Sequence, residues 1–469
     1  MKLKELKLKL YDIVGKENLI YDPNKLKNYA QDFHYPLVEA KDPELIIMPK
    51  TIDEIQKIIQ IASEFKFPII PRSSKLSRYG GTIPEDGGLI VDLQKMNQIL
   101  SIDNNSMYVV IEPGVTFKQL QVELDKVGLR IIPTIFSSSD SIISSYLARY
   151  PFFAMLKFEY NDLVVNLEVV LGSDIFRTGS MASSKSPPVY PYGSTLDYFR
   201  IFHGARGGLG IVTKASIRVK PKPQIQEIMS IPFQNHSDLI NFVYRVERKE
   251  IGTECIILNK FNALEYLNIE NKATKFPNWV FLICLEGLER FPEEKIAYEK
   301  DALNEIIKEN SLKKEKNELI SQLEGKILKE FNSPDGINKQ HYDLPLYITL
   351  NKFSGLLSAI SDELRKFNDF SIDLGVSIIP IERNRVAYIE FDFYTDLKNG
   401  ERITKFRKLF SNLGELALKS GAFIDIPYGP LKKIVYSKVG SYSKLINKIK
   451  DIFDPNKIMN PGKIEWEAR

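Results

Sequence analysis

The chain alternates between two hydrophobic periods. Glu44–Met48 (ELIIM) is a short continuous apolar run closed by Pro49, the pattern of a buried strand. Thr51 then stands three residues before Glu54 as a capping box, and Ile55, Ile58, Ile59 and Ala62 recur at helix-face spacing. Phe67–Pro71 (FPIIP) reads as the next strand, so these pieces predict a βαβ unit. The theme repeats with Met107–Glu112 as a strand, Pro113-Gly114 as a turn, and Thr116 with Gln119 as a second capping box. The helix that follows runs to Gly128, whose missing side chain suits a helix C-terminus. Leu163–Leu171 and Ile211–Val219 are further strands.

From about residue 224 the texture changes. Strand-like runs at Ile228–Pro232, Glu254–Leu258, Trp279–Leu285, Ser371–Pro380 and Arg385–Phe393 are separated by long charged helices near 236–250, 293–331, 351–367 and 399–419. The most charged stretch, Lys308 to Lys329, reads as a solvated helical face. A short helix at Ser443–Ile452 leads into the Pro/Asn-rich tail Phe453–Lys463, whose apolar Ile458 and Met459 predict docking on a surface. The expected fold class is α+β. Residues 1–223 form a βαβ subdomain plus a mixed sheet, 224–424 an antiparallel sheet with helices, and 425–469 a segment returning to the first domain.

Composition changes this picture little. The 469 residues carry 64 basic and 60 acidic side chains, a net charge of +4 spread along the chain, with no basic, aromatic-interleaved platform for nucleic acid. Two cysteines, Cys255 and Cys284, lie in strand-like apolar runs and read as reduced core thiols; with only four histidines, Cys/His zinc sites are excluded and no metal is expected. No apolar run approaches the ~18 residues that a membrane span needs. The Lys-rich N-terminus lacks a continuous apolar core and reads as a short amphipathic helix, so a cytoplasmic location is expected.

The candidate chemistry centres on Phe199–Pro223, FRIFHGARGGLGIVTKASIRVKPKP. Gly204, Gly207, Gly208 and Gly210 run straight into a strand, where absent side chains let a backbone approach another group closely. Four other segments stand in order with it: PELIIMPKTIDEIQKIIQIASEFKFPIIPR, YGGTIPEDGGLIVDLQKMNQILSID, YVVIEPGVTFKQLQ and, at the far end, IFDPNKIMNPGKI. Together they resemble the FAD-binding flavoproteins of the vanillyl-alcohol oxidase and p-cresol methylhydroxylase superfamily, most closely the glycolate oxidase and D-lactate dehydrogenase branch. The resemblance implies an FAD-binding domain of the p-cresol methylhydroxylase type at 1–223 and a substrate (cap) domain at 224–424. It also implies non-covalent FAD, an anionic small-molecule substrate, and a protein or quinone electron acceptor. A homodimer or a place in a larger complex is compatible with it.

By the same resemblance, Arg72, Ser73, Ser74, Gly80 and Gly81 wrap the FAD pyrophosphate, with Lys75 and Arg78 as added charge. Pro113 and Gly114 line the cofactor channel, Gly207, Gly210, Ile211 and Val212 meet the flavin and its phosphates, and Asn460 contacts the flavin side. Ordinary turns explain Pro113-Gly114, the glycine cluster and the Asn-Pro-Gly of the tail equally. Two departures stand out: Ser73-Ser74-Lys75 replaces the family's central glycines, and Pro133–Asp162 is a serine-rich stretch with no glycine where relatives carry a glycine pair. Catalytic candidates are His203 as base, with His341 second, and Arg206, Tyr428, Lys432 and Arg383 as substrate-side groups. The stretch Gly375–Phe393 contains no histidine, which disfavours the metal-assisted route of D-lactate-type relatives. The activity implied is dehydrogenation of a small hydroxy acid or related alcohol. The alternative is a non-catalytic or electron-relay subunit, and a redox-neutral synthase is disfavoured by the sparse histidines. The long insertion Arg177–Asp197 is expected to shape the site.

Overall fold

The capping box at Thr51 forms as predicted: the Thr51 hydroxyl accepts from the Glu54 N–H and the Glu54 carboxylate accepts from the Thr51 N–H. The helix it starts, Ile52–Phe65, buries Ile55, Ile58, Ile59 and Ala62. In this computed structural model the described residues are 2–75, 77–155, 163–172, 174–183, 186–190, 198–270, 275–312, 317–337, 339–382 and 385–464. The helix joins Leu45–Ile47 to Ile69–Arg72, and Leu89–Asp92 lies parallel between these two strands. Leu19–Ile20 adds an antiparallel edge. The N-terminal helix Lys2–Val14 spends its apolar face, Leu6, Leu10 and Val14, against this core.

A second sheet is wholly antiparallel, in the order Ile99–Asp103, Tyr108–Ile111, Ile211–Arg218, Val164–Leu171, Asp174–Arg177. At Thr116 only half of the expected capping box forms. The hydroxyl accepts from the Gln119 N–H, but the Gln119 side chain reaches Asn97 O instead.

The second part of the chain builds one six-stranded antiparallel sheet: Ile225–Phe233, Trp279–Gly287, Glu254–Asn259, Asp373–Ile381, Val386–Tyr394 and Tyr342–Ile348. The last of these has no counterpart in the sequence reading. It carries Pro345 in its middle as the last strand of the sheet, paired along its length with Val386–Tyr394 and bridged on its other side by Tyr347 to Phe423, where a missing N–H can face away from the partner strand. The single helix expected over 293–331 is two, Pro292–Glu309 and Glu318–Asn332. The first ends where Ser311 takes a left-handed conformation, φ 53°. Both cysteines are buried and unpaired, and burial pushes their thiols up. Among the described residues no helix is long and apolar enough to cross a membrane.

The tail docks as predicted. Ile69 N–H donates to Ile458 O and Asn460 N–H to Ile69 O, both at 2.7 Å, so the tail extends the edge of the first sheet. Ile458 and Met459 are buried beneath it. Two ammonium groups lock the tail: Lys463 and Lys432 share the Glu85 carboxylate, and Lys463 also donates to Ile83 O at 2.7 Å. Burial lowers Lys463 to about 8, with Glu85 opposing the fall. Glu85→Gln leaves a buried ammonium without its counter-charge, so it is expected to lower stability by about 3 kcal/mol, measured by chemical denaturation at neutral pH, whereas Lys457→Gln on the exposed surface changes little.

Candidate functional site

A cleft opens in the first part of the chain, with one wall residue contributed by the returning C-terminal segment. The strand Ile69–Arg72 delivers one wall, the loop from Ser73 to Thr82, and the glycine-rich stretch 202–212 delivers the opposite one. Leu93, Ile143, Leu147, Phe202 and Leu209 give it an apolar floor, and Ile426 of the returning segment closes one side. Gly210 has φ 152° and lies so close to the neighbouring strand that a Cβ would come within 2.6 Å of Leu171 Cδ2. Gly81 differs: a Cβ there would meet only Arg78 O, at 3.5 Å, and would otherwise project into open space.

The sequence-derived residues separate in space. Arg72, Ser73, Ser74, Gly81, Pro113, Arg206, Gly207, Gly210 and Val212 line the cleft. Gly80, Gly114, Ile211 and Asn460 are not among its lining residues. Gly80 N–H donates to Asp32 at 2.6 Å, Gly114 is packed against the carbonyls of Leu93, Gln94 and Met96, and Ile211 is buried in its sheet. Asn460 sits one layer behind, its amide donating to Gly81 O at 3.0 Å and to Arg206 O at 2.6 Å. It therefore ties together the two walls.

His203 faces a neighbouring cavity with Arg149 and Tyr347, its ring 4.6 Å from Phe199. Tyr428 is completely buried and its hydroxyl donates to Asp343 O at 2.6 Å. Lys432 is held by Glu85 and Gly462 O, away from the cleft. His341 Nδ1 lies 2.9 Å from Lys339 O. Arg383, residues 156–162 of the serine-rich stretch, and 184–185 with 191–197 of the long insertion lie outside the described residues.

The two departures from the family pattern meet each other. Ser73 Oγ donates to Ser141 Oγ at 3.1 Å, Ser141 N–H donates to Ser74 Oγ at 3.0 Å, and the Ser74 and Ser144 hydroxyls are 2.9 Å apart. The Ser141 hydroxyl also caps the helix Ile142–Leu147 and donates to Pro113 O at 2.6 Å. One serine cluster is thus the partner of the other. Arg72 is committed to the same loop, bonding Ser74 O, Lys75 O and Tyr29 O while stacking on the Tyr29 ring.

Sequence reasoning missed the buried polar cluster behind Tyr79. His34 Nδ1 accepts the Tyr79 N–H at 2.8 Å, so Nε2 carries the ring proton and donates to Asp343 Oδ1 at 2.5 Å. Burial opposes ionisation of Asp343, yet the His34 contact holds its carboxyl below the usual range. Glu390 is the reverse case. Burial, then the nearby Asp343 and Asp392, raise it well above the ordinary carboxyl range, and Tyr79 and Tyr388 both donate to its Oε1. No short motif announces this cluster, because its members come from both ends of the chain and meet only across the domain interface. Asp140, beside the cleft, is pushed up to about 7 by burial, with Arg78 resisting the shift.

The first part of the chain, residues 43–177, matches a family model described as an FAD binding domain. Over 98% of its length the chain is 26% identical to the glycolate oxidase subunit GlcD of Bacillus subtilis, covering 97% of that protein. It is 23% identical to the D-lactate dehydrogenase of Archaeoglobus fulgidus, over 93% of this chain and 95% of that one. Among solved structures, substrate-bound p-cresol methylhydroxylase superposes with a TM-score of 0.84 at 19% identity, covering 99% of this chain and 96% of its own. The 4-ethylphenol oxidase of Gulosibacter chungangensis superposes with a TM-score of 0.85 at 18% identity, covering 100% and 98%.

The residues present fit FAD. The open face at Gly81 is a cradle that a side chain would fill, the floor suits an aromatic ring system, and Arg72 and Arg206 make the walls cationic. Gly81→Leu is expected to leave the fold intact by circular dichroism while the purified protein loses most of its flavin absorbance. Asp140 gives a second test. Its folded pKa of about 7 exceeds the unfolded value of 3.8, so its contribution is present at low pH and is lost as pH rises through 7. Asp140→Asn is therefore expected to gain stability over the parent between about pH 5 and about pH 8, by at most roughly 4 kcal/mol, read from melting curves at the two pH values. Residues 43–177 thus match an FAD binding domain, and the chain has, over nearly its whole length, the fold of p-cresol methylhydroxylase and 4-ethylphenol oxidase.

Proposed function

We propose that this chain is an FAD-dependent dehydrogenase of a small 2-hydroxy acid or related alcohol. The observation that carries the reading is the cleft itself: it is lined largely by the segment that matches an FAD binding domain and the glycine-rich stretch, apolar on its floor and cationic on its walls. When bound, FAD supplies the hydride acceptor at flavin N5. The backbone from Gly207 to Gly210 and the hydroxyls of Ser73 and Ser144 hold the cofactor's polar parts, and the apolar floor excludes water from its ring. Arg206, fixed by Asn460 through its carbonyl and by Tyr79 O through Nη1, offers its remaining donors to an anion in the cleft. Tyr79 lines the same cleft, and its hydroxyl donates to Glu390 Oε1 at 3.3 Å. Relatives named for glycolate and D-lactate support the substrate class, and a protein or quinone acceptor is part of the same proposal.

Anaerobic addition of glycolate, D-lactate and L-lactate to the FAD-loaded protein is expected to bleach the flavin absorbance with at least one of them. Protein that takes up no FAD, or that stays fully oxidised with every 2-hydroxy acid tried, overturns the reading.

A further inference from the structure

The three arginines of the cleft are not equivalent. Arg72 is spent on loop carbonyls and on the Tyr29 ring, and Arg206 reaches Tyr79 O at 3.4 Å. Arg149, just beyond the cleft, is paired with Asp425 at 2.8 Å. The guanidinium of Arg78 has neither an ion pair nor a hydrogen-bond partner among the described residues, although the residue lines the cleft and is half-buried. Its guanidinium carbon lies 4.1 Å from the centroid of the Phe33 ring and 3.9 Å from that of Phe136. With an aromatic ring against each face, the only direction left for its donors is the in-plane N–H edge, the geometry that meets a carboxylate with two parallel bonds.

Position separates this arginine from the cofactor's end of the site. Arg72 lies toward the first sheet, beside Tyr29 and Asp92. The field of Arg78 instead reaches Tyr266, Asp343, Glu390 and Asp392 of the cap, all of which it influences without contacting. The placement is also held rigidly. Next along the chain, Tyr79 has its N–H bound by His34, which is itself anchored on Asp343 of the cap, and Gly80 N–H is bound by Asp32. A cation fixed this firmly without an anion of its own is prepared for one that arrives from outside.

We propose that Arg78 is the residue that anchors the substrate's carboxylate at the cap end of the cleft, making the site selective for small hydroxy acids over neutral alcohols of the same size. This rests on the hydroxy-acid reading above. Arg78→Gln removes the charge. Arg78→Lys keeps it but loses both the stacking and the fork, so it is not a conservative exchange here.

The test uses oxalate as the probe, titrated by calorimetry into the purified parent, R78Q and R78K, with FAD content measured in each. Oxalate is expected to bind the parent, to bind R78Q at least tenfold more weakly, and to bind R78K with intermediate affinity, while FAD content stays the same. KM for the active 2-hydroxy acid rises by a similar factor with a smaller change in kcat, and the weak competition by propane-1,2-diol is unchanged. Equal oxalate affinity in the parent and R78Q overturns the proposal, as does a parent that binds no oxalate. Loss of FAD from R78Q with unchanged oxalate affinity assigns Arg78 to the cofactor and overturns it equally. Where R78Q does not fold, R78K decides: unchanged affinity overturns, severalfold weakening supports. Arg78-dependent oxalate binding in a protein that oxidises no 2-hydroxy acid leaves the anion site standing and sinks only the reaction.

Discussion

The side-chain amide of Asn460 is the contact on which the cleft depends. Its two N–H bonds, to Gly81 O and Arg206 O, join walls that are separated by more than a hundred residues in sequence, and it is itself delivered from the opposite end of the chain. The tail can deliver it because it is held three times over: by backbone bonds to Ile69, by Lys463 on Glu85 and Ile83 O, and by Lys450 on Gly208 O. Lys450 and Lys463 are almost wholly buried, so each carries a desolvation cost that only a complete set of acceptors offsets. The tail is therefore an integral part of the site: freeing it would strand two ammonium groups and open the cleft together.

The same logic governs the domain interface. Arg130 of the first domain reaches Glu254 and Glu286 of the cap, and His34 reaches Asp343. Apolar surfaces would hold the two domains together in many registers, whereas buried charges with directional partners accept few. Holding one register matters here, because Arg78, Tyr79 and Gly81 stand on the first domain while the groups that set their electrostatics stand on the cap.

Much of the architecture was legible in one dimension. The apolar period of Ile55, Ile58, Ile59 and Ala62 and the cap at Thr51 depend on neighbours a few residues apart, and they form as read. The strand Tyr342–Ile348 was not read, and whether it can hold Pro345 depends on its lying at the edge of the sheet, which is a property of the sheet. The glycine cluster was legible for a related reason: the need for a missing Cβ is imprinted locally, even though the strand that Gly210 would strike is some forty residues away. Within the cofactor set, the reading placed Arg72, Ser73 and Gly207 at the cleft, yet it had no means of separating Asn460, which braces the walls, from residues that face the ligand.

By itself, then, the order of residues determined the helices, most strands and the docking of the tail, because backbone propensity and apolar period are short-range properties, while the cofactor's class came from the resemblance of its ordered motifs to a known family. Only the tertiary structure decided what the polar side chains do. Ser73 and Ser74 bond to Ser141 and Ser144, Tyr428 and Lys432 are drawn into internal bonds, and the Arg78 guanidinium faces the cleft with no hydrogen-bond partner among the described residues. A charged or hydroxyl side chain is defined by its partner, and these partners are brought together only when both ends of the chain close on the same cleft.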